Sequence, residues 1–452
     1  MENQENSVIG RFGHWVQTSL LVKLASIGFL TLVLLIPNVM IQDLVRERQN
    51  RQSEAISEVS ASWGAAQTVT GPVLSIPYSE WVQMENDKRV ESIQTAYFLP
   101  QALRVNGKVD PELRKRGIYE IVLYQSDLMI SGTFDKPDFA ALNIRPEDVH
   151  WDQAKLSLGI AGMSGIKNSI QLDWAGMGIR LEPGTANSKV LLSGVSNAVP
   201  VDAETEAYAF SIPLKLNGSG YLKFEPVGKE TTVALESGWS SPSFEGDFLP
   251  DQREIRPEGF SASWKVLDLN RNYPQQWKGA EYSFGTGNHP SAHFGVRLVQ
   301  TVDEYAKTER SSKYAILVIG LTFLIYFFYE TLRRFHIHPF QYLLVGLALS
   351  VFYLLLLSLS EHLGFNTAYA LATAATIGLI AVYSAGVFKN LRMTVQLTLL
   401  LGLIYGFIFI VLQLEDYALL TGSIGIFAAL AAVMYYSRNV DWYNLSETAQ
   451  TT

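Results

Sequence analysis

The stretch VLQLEDYALLTGS (residues 411–423) places two adjacent carboxylates, Glu415 and Asp416, within one of the most apolar parts of the chain. The flanking runs, roughly 394–414 and 417–436, are each about as long as the ~20 helical residues that cross a bilayer core. An ionised carboxylate is costly in hydrocarbon. We therefore predict that the chain turns at Glu415 and Asp416, at the membrane interface, between two spans.

Four further apolar runs indicate a total of six transmembrane helices. They lie at 20–41, 314–331, 339–360 and 366–388. The first run is near the N-terminus, as in a signal peptide, but it is long and no small-residue cleavage site follows it, so we predict an uncleaved anchor. A second polar turn, SLSEHLGFN, separates the third and fourth spans and contains Glu361 and His362.

The two polar turns give the sequence its candidate site. Glu361, His362, Glu415 and Asp416 form a candidate interfacial polar patch, because both turns fall on the same side of a six-helix bundle. In one interpretation these residues are solvated loop residues without a shared role. In the other they form a polar cluster that contacts the large domain or a ligand.

The roughly 270 residues between the first two spans predict a separate, mostly β domain. Residues 42–62 lack Gly and Pro and are typical of a juxtamembrane helix that continues the first span. Residues 63–313 are rich in short segments with β-branched and aromatic residues, such as 117–134, 168–174 and 260–269. The pairs Asn106-Gly107 and Asn217-Gly218 predict turns.

Basic residues in short loops predict the orientation. Arg333, Arg334, Lys389, Arg392 and Arg438 all fall on one side, whereas the loops at 361–365 and 415–416 contain no Lys or Arg. We therefore expect a cytoplasmic N-terminus (1–19), a cytoplasmic tail (437–452) and five helices in 314–436. The large domain then lies outside the cytoplasm, in the periplasm of a Gram-negative cell.

Composition excludes several classes of site. Only 17% of the residues are charged, and the net charge of −8 argues against a nucleic-acid partner. The absence of cysteine excludes disulfides and zinc–thiolate sites. His289 and His293 have i,i+4 spacing, but Pro290 follows His289 and no metalloprotease motif is present. We expect no metal, no cofactor and no catalytic residues, and hence no enzyme.

The spans show no obvious ladder of buried charges. Lys23 lies near the end of the first run, and Glu330 is expected to pair with Arg333 or Arg334 about one helical turn away. The interiors are instead rich in small and hydroxylic residues, as in 368–386 and 421–432. Such residues allow close helix packing, which is one interpretation, and a translocation path is the other.

Long stretches of the chain resemble the CreD family of bacterial inner-membrane proteins. They are EVSASWGAAQTVTGPVLSIPY (58–78), RGIYEIVLYQSDLMISGTF (116–134), VGKETTVALESGWSSPSFEGDFLP (227–250), LDLNRNYPQQW (267–277), IHPFQYLLVGLALSVFYLLLLSLSEHLGFNTAY (337–369) and YGFIFIVLQLEDYALLTGS (405–423). The resemblance implies an inner-membrane protein with a large periplasmic insert. It also implies a role in envelope integrity, colicin tolerance and the response to β-lactam stress, and it supplies no catalytic residues.

These observations leave three functional hypotheses. The first is a non-enzymatic envelope-integrity protein, anchored in the lipid bilayer, whose outer domain binds envelope proteins or cell-wall components. The second is a transporter or lipid-handling protein that works through the helical bundle. The third is a periplasmic enzyme that acts on cell-wall material. A cavity entering the bundle would favour the second, and an acid–base pair in a cleft of the β domain would favour the third.

Overall fold

The computed structural model describes residues 20–83, 89–279, 281–284, 292–299, 304–333, 337–414 and 417–438. The chain divides into two compact units. One contains Met1–Arg51 and Val302–Thr452 and is called the membrane unit, and the other contains Gln52–Thr301 and is called the β domain.

Seven helices are described. They are α1 Leu20–Trp63, α2 Glu304–Lys313, α3 Ala315–Arg333, α4 Pro339–Leu363, α5 Phe365–Phe388, α6 Leu391–Gln413 and α7 Ala418–Ser437. At 44 residues, α1 is about 66 Å long at 1.5 Å per residue, roughly twice the thickness of a bilayer core. Its apolar first half is therefore long enough to cross a membrane, and the polar second half continues the same helix.

The described part of the chain contains five helices that are long and apolar enough to span a membrane. They are α1, α4, α5, α6 and α7. The sixth predicted span, 314–331, corresponds to α3, which passes the same test only together with α2, across a bend of 40°. The described residues therefore contain five such helices, or six if the bent pair forms a single span, against the six that the sequence predicts.

The helices of the membrane unit bury aromatic and aliphatic side chains against each other and expose others. Phe323, Phe352, Tyr369 and Tyr405 lie in one buried cluster with residues of α1 and α3–α6. On the outside of the helices, large apolar side chains are exposed, including Leu419 at 87%. An exposed apolar surface of this kind is favourable against lipid and unfavourable against water.

Seventeen strands are described. They are β1 Gln67–Gln83, β2 Arg89–Phe98, β3 Ala102–Arg116, β4 Tyr119–Asp135, β5 Lys155–Ile160, β6 Gln171–Trp174, β7 Met177–Arg180, β8 Glu182–Pro183, β9 Gly194–Ala198, β10 Ala207–Ser219, β11 Tyr221–Phe224, β12 Glu230–Ser237, β13 Pro242–Gly246, β14 Gln252–Arg256, β15 Gly259–Leu267, β16 Gln276–Lys278 and β17 Phe294–Leu298.

The strands form two sheets. The first has the order β13-β17-β11-β1-β5-β9-β8, with β2 and β16 extending from β1. The second has the order β14-β15-β12-β3-β4-β10-β6-β7. The pairs β1–β11 and β3–β12 are parallel and the other described pairs are antiparallel. Both sheets contribute side chains to one hydrophobic core.

Alternation along the strands explains why the second sheet has one buried and one exposed face. In β3, Leu103, Val105 and Val109 are buried while Arg104 and Lys108 are exposed. Side chains in a strand point alternately to the two faces, so a period of two buries one face and solvates the other. The prediction of a mostly β domain inserted between the first two spans is confirmed.

The two Asn-Gly turns predicted from the sequence are wrong. Asn106 and Gly107 lie within β3, and Asn217 and Gly218 lie within β10. A Cβ on Gly107 would lie 2.5 Å from Leu128 Cδ2, and one on Gly218 would lie 2.3 Å from the ring of Tyr124. Glycine is present at both positions because a buried neighbour occupies the space of a side chain, and not because the chain reverses there.

Hydrogen bonds from the Gln67 side chain hold the segment that follows α1 within the β domain. Its buried side-chain amide donates to the carbonyl oxygens of Gly64, Gly162 and Asn217 at 2.6, 3.0 and 3.0 Å. Its carbonyl oxygen accepts from the backbone N–H of Gly162 at 3.1 Å. One side chain thus satisfies backbone groups of its own segment and of two distant ones, at the point where the helix ends and the first strand begins.

Candidate functional site

Glu361 and His362 lie at the C-terminal end of α4. The Tyr305 hydroxyl donates to Glu361 Oε1 at 3.0 Å, and Arg48 Nε lies 3.7 Å from the same oxygen. The Glu361 side chain is 12% exposed, whereas His362 is exposed. Glu361 therefore joins three helices of the membrane unit, α1, α2 and α4, through one carboxylate.

The other two residues of the candidate patch, Glu415 and Asp416, lie outside the described residues. The ends of the helices beside them are described, and there Gln413 Nε2 on α6 donates to Asn366 Oδ1 on α5 at 2.6 Å. Asn366 lies in the first turn of α5, just after the end of α4 that carries Glu361 and His362, so these ends of α4, α5 and α6 lie at one end of the bundle. That the four residues share a patch stays a prediction.

A second polar cluster, at Glu330, was not predicted. Glu330 Oε1 is 2.8 Å from Lys23 Nζ, and Oε2 accepts from the Tyr342 hydroxyl at 3.0 Å. The expected partners were Arg333 and Arg334, but the side chains of both lie outside the described part. Glu330 and Lys23 are 307 residues apart, so their spacing in the sequence gave no sign that they form a pair.

A cavity of about 530 Å³ lies beside this pair. Val22, Ile27 and Leu30 of α1 form part of its apolar wall, and Lys23, Glu330 and Tyr342 are among its polar groups. A cavity of this size, mostly apolar and with a few convergent polar groups, is typical of small-molecule sites. Charged residues within spans are by default functional candidates.

The β domain buries a polar cluster around Glu225. The Glu225 side chain is 2% exposed; Oε1 accepts from the Ala292 N–H at 2.9 Å and Oε2 lies 3.4 Å from His293 Nδ1. The hydrogen bond that His293 donates to the Glu225 carboxylate raises the pKa of His293. Burial, with the Glu225 charge adding to it, raises the pKa values of Tyr273 and Tyr282, so both stay neutral hydroxyls.

The Glu225 carboxylate and His293 line a cleft of about 270 Å³ together with Thr68, Thr70 and Ser193. Ser193 Oγ donates to the Ile160 carbonyl at 2.6 Å, so the hydroxyl hydrogen is engaged by the backbone of β5. Among the described residues, no group of three or more His, Cys, Asp or Glu side chains is arranged to hold a metal ion. His289 lies outside them.

Ser79, His150 and Glu91 form another chain of contacts in the β domain. Ser79 Oγ donates to Glu91 Oε1 at 2.5 Å and lies 2.9 Å from His150 Nε2. In a serine hydrolase the histidine stands between the carboxylate and the hydroxyl and takes the hydroxyl proton. Here the hydroxyl lies between the histidine and the carboxylate and donates its hydrogen bond to the carboxylate. The order therefore differs from that of an activated nucleophile.

The exposed face of the second sheet is covered by short polar side chains with charged ones between them. Thr232 pairs in register with Arg104 on one side and with Lys265 on the other. Ala234 stands between Asn106 and Ser263 in the next row. Two open clefts of about 700 and 520 Å³ lie on this surface. We call the surface formed by Arg104, Asn106, Thr232, Ser263 and Lys265 the polar sheet face.

Comparison with known proteins covers nearly the whole chain. The family model described as "Inner membrane protein CreD" matches residues 19–443. The chain is 34% identical over 437 residues to the protein named "Inner membrane protein CreD" of Escherichia coli (strain K12), an alignment that covers 95% of each chain. Together with the apolar helices, these matches identify a multi-pass inner-membrane protein. The chain belongs to the CreD family.

Proposed function

We propose that this protein supports the integrity of the cell envelope under stress such as colicin or β-lactam exposure. It does so without catalysis, by binding a cell-wall component or envelope protein through the polar sheet face. The proposal includes a periplasmic β domain and cytoplasmic termini, as the basic residues of the short loops predict.

The observation that carries this proposal is the polar sheet face itself. It presents hydroxyl, amide and cationic side chains in register across three strands. Arg104 forms no ion pair with the described residues, although Lys265 is paired with Glu230 at 3.1 Å. Donors and acceptors arranged in rows suit a polymer with many hydroxyl and amide groups, such as the glycan and peptide of the cell wall.

The test is cosedimentation of the full-length protein in detergent with purified cell-wall sacculi. Arg104→Ala with Asn106→Ala removes two exposed groups of the face. Gln153→Ala with Lys155→Ala is the matched control, at exposed positions just before and at the start of β5 in the first sheet. We expect the face variant to lose binding and to lose protection against β-lactam in cells, and the control to keep both. Equal binding by both variants would contradict the proposal.

A second function, lipid handling by the helical bundle, is favoured by the cavity beside Glu330. The cavity lies among helix ends of the membrane unit and combines apolar walls with an ion pair. Retention of phospholipid by the full-length protein after purification is the expected result, and it is independent of the polar sheet face.

A further inference from the structure

The Lys23–Glu330 pair lies where three helices of the membrane unit end. Lys23 is within one turn of the start of α1, Glu330 within one turn of the end of α3, and Tyr342 within one turn of the start of α4. All three helix ends therefore meet at one end of the bundle. Ile27 and Leu30, which belong to the apolar wall of the cavity, lie further along α1 than Lys23.

The pair is costly where it stands. The Glu330 side chain is 5% exposed and the Lys23 side chain 27%. Removing two charges from water costs several kcal/mol per ion, and their attraction often only balances that cost. Replacing a buried ion pair by apolar residues of similar volume is often neutral or stabilising, so the pair is weak evidence for a role in stability. Because the pair also borders a cavity, a role in binding explains it better.

We propose that this cavity binds a zwitterionic phospholipid whose head group carries a primary amine. The inference deepens the second proposed function, lipid handling. The ligand's ammonium group replaces Lys23 at the Glu330 carboxylate, and its phosphate takes the Lys23 ammonium. The acyl chains lie along Ile27 and Leu30 towards the bilayer core.

The charges of the cavity decide between head groups. An anionic lipid would be attracted by the Lys23 ammonium and repelled by the Glu330 carboxylate. A zwitterionic head group can form an ion pair with each of them. A quaternary amine carries no N–H, so it cannot donate to the carboxylate as a primary ammonium does. Two further titratable groups line the cavity. The Tyr342 hydroxyl already donates to Glu330, and His338 Nδ1 accepts from the Phe340 N–H at 3.2 Å, which caps α4.

The experiment is native mass spectrometry of the full-length protein with an equimolar mixture of phosphatidylethanolamine, phosphatidylcholine and phosphatidylglycerol with identical acyl chains. We expect about tenfold preference for phosphatidylethanolamine over phosphatidylcholine, the gain of roughly one charge-assisted hydrogen bond. Glu330→Gln should abolish that preference. Glu361→Gln, the same change at the other end of the bundle, should keep it.

The double variant Lys23→Met with Glu330→Gln removes both charges. It replaces the single variant in the same measurement if the unpaired Lys23 charge prevents Glu330→Gln from folding. Loss of the preference in this variant, at an unchanged elution volume in size exclusion, supports the proposal. Preference for phosphatidylglycerol, equal retention of all three lipids, or a preference that survives Glu330→Gln would overturn the head-group assignment while lipid handling stands. Retention of none of the lipids would overturn both.

Discussion

At the scale of single residues, the contact between Glu225 and His293 makes the stability of the β domain depend on pH. The hydrogen bond to Glu225 raises the pKa of His293 in the folded protein, burial and Lys223 oppose the shift, and Asp247 adds to it. A raised pKa means that the folded state binds the proton more tightly than the unfolded state. The resulting stabilisation is complete below the unfolded value of about 6.5 and is lost as pH rises through the folded value.

We therefore predict that His293→Gln destabilises the β domain more at pH 6 than at pH 9. Urea unfolding followed by tryptophan fluorescence measures the difference in midpoint between the two proteins at each pH. Other titrating groups are common to both proteins and cancel in that difference. A difference that stays constant from pH 6 to pH 9 would contradict the assignment of the pKa shift to His293.

Gly218 gives a second prediction at this scale. A Cβ at this position would lie 2.3 Å from the ring of Tyr124, whose hydroxyl donates to the Tyr221 carbonyl at 2.7 Å inside the core. Gly218→Ala should lower the free energy of unfolding by about 1–3 kcal/mol, the usual cost of overpacking. Gly178→Ala is the control, because a Cβ there would have no atom of the described chain within 4 Å beyond its immediate neighbours. Equal melting temperatures for the two variants would show that the strand adjusts freely.

At the scale of elements, Glu361 holds together α1, α2 and α4. Glu361→Ala removes the acceptor of the Tyr305 hydroxyl and the charge opposite Arg48. We expect the free energy of unfolding of the membrane unit to fall by about 1–3 kcal/mol, as for a hydrogen bond to a charged group. The melting temperature in detergent measures this, and His362→Ala, an exposed neighbour, is the control. An unchanged melting temperature for Glu361→Ala would show that Glu361 does not stabilise the packing of these helices.

The same scale applies to Glu415 and Asp416. If they belong to a polar cluster that contacts the large domain, Glu415→Gln with Asp416→Asn should loosen that domain and increase cleavage of the intact protein between residues 43 and 62 or 300 and 313. If they are solvated turn residues, the double change should have no effect, since exposed charge pairs contribute only about 0 to 1 kcal/mol. Limited trypsin digestion compares the two outcomes directly.

At the scale of the whole molecule, the distribution of basic residues predicts the topology. Ser188 is exposed in the β domain, and Thr451 belongs to the C-terminal tail. Because the chain has no cysteine, single changes Ser188→Cys and Thr451→Cys create unique thiols. In intact spheroplasts an impermeant thiol reagent should label Ser188→Cys alone, and Thr451→Cys only after lysis. The opposite labelling would reverse the orientation.

The sequence by itself determined the class of the protein, its family and the order of its parts. Apolar runs and strand alternation are local properties, because burial in lipid or against a core acts on each segment along its length. This is why the spans, the continuation of the first helix and the β segments 117–134 and 260–269 were predictable. The bend between α2 and α3 was not, since it depends on what the polar residues of α2 pack against.

Only the tertiary structure decided which polar groups meet. Glu330 pairs with Lys23 across 307 residues, Glu225 lies beside His293, and Gly218 is required by Tyr124 rather than by a turn. Residues so far apart become neighbours only when helices and strands pack, and single-sequence spacing carries no record of that. Glu361 was singled out because the sequence predicts a turn there. Its partners Arg48 and Tyr305 belong to helices that precede and follow the β domain in the sequence, so only the fold brings them to one carboxylate.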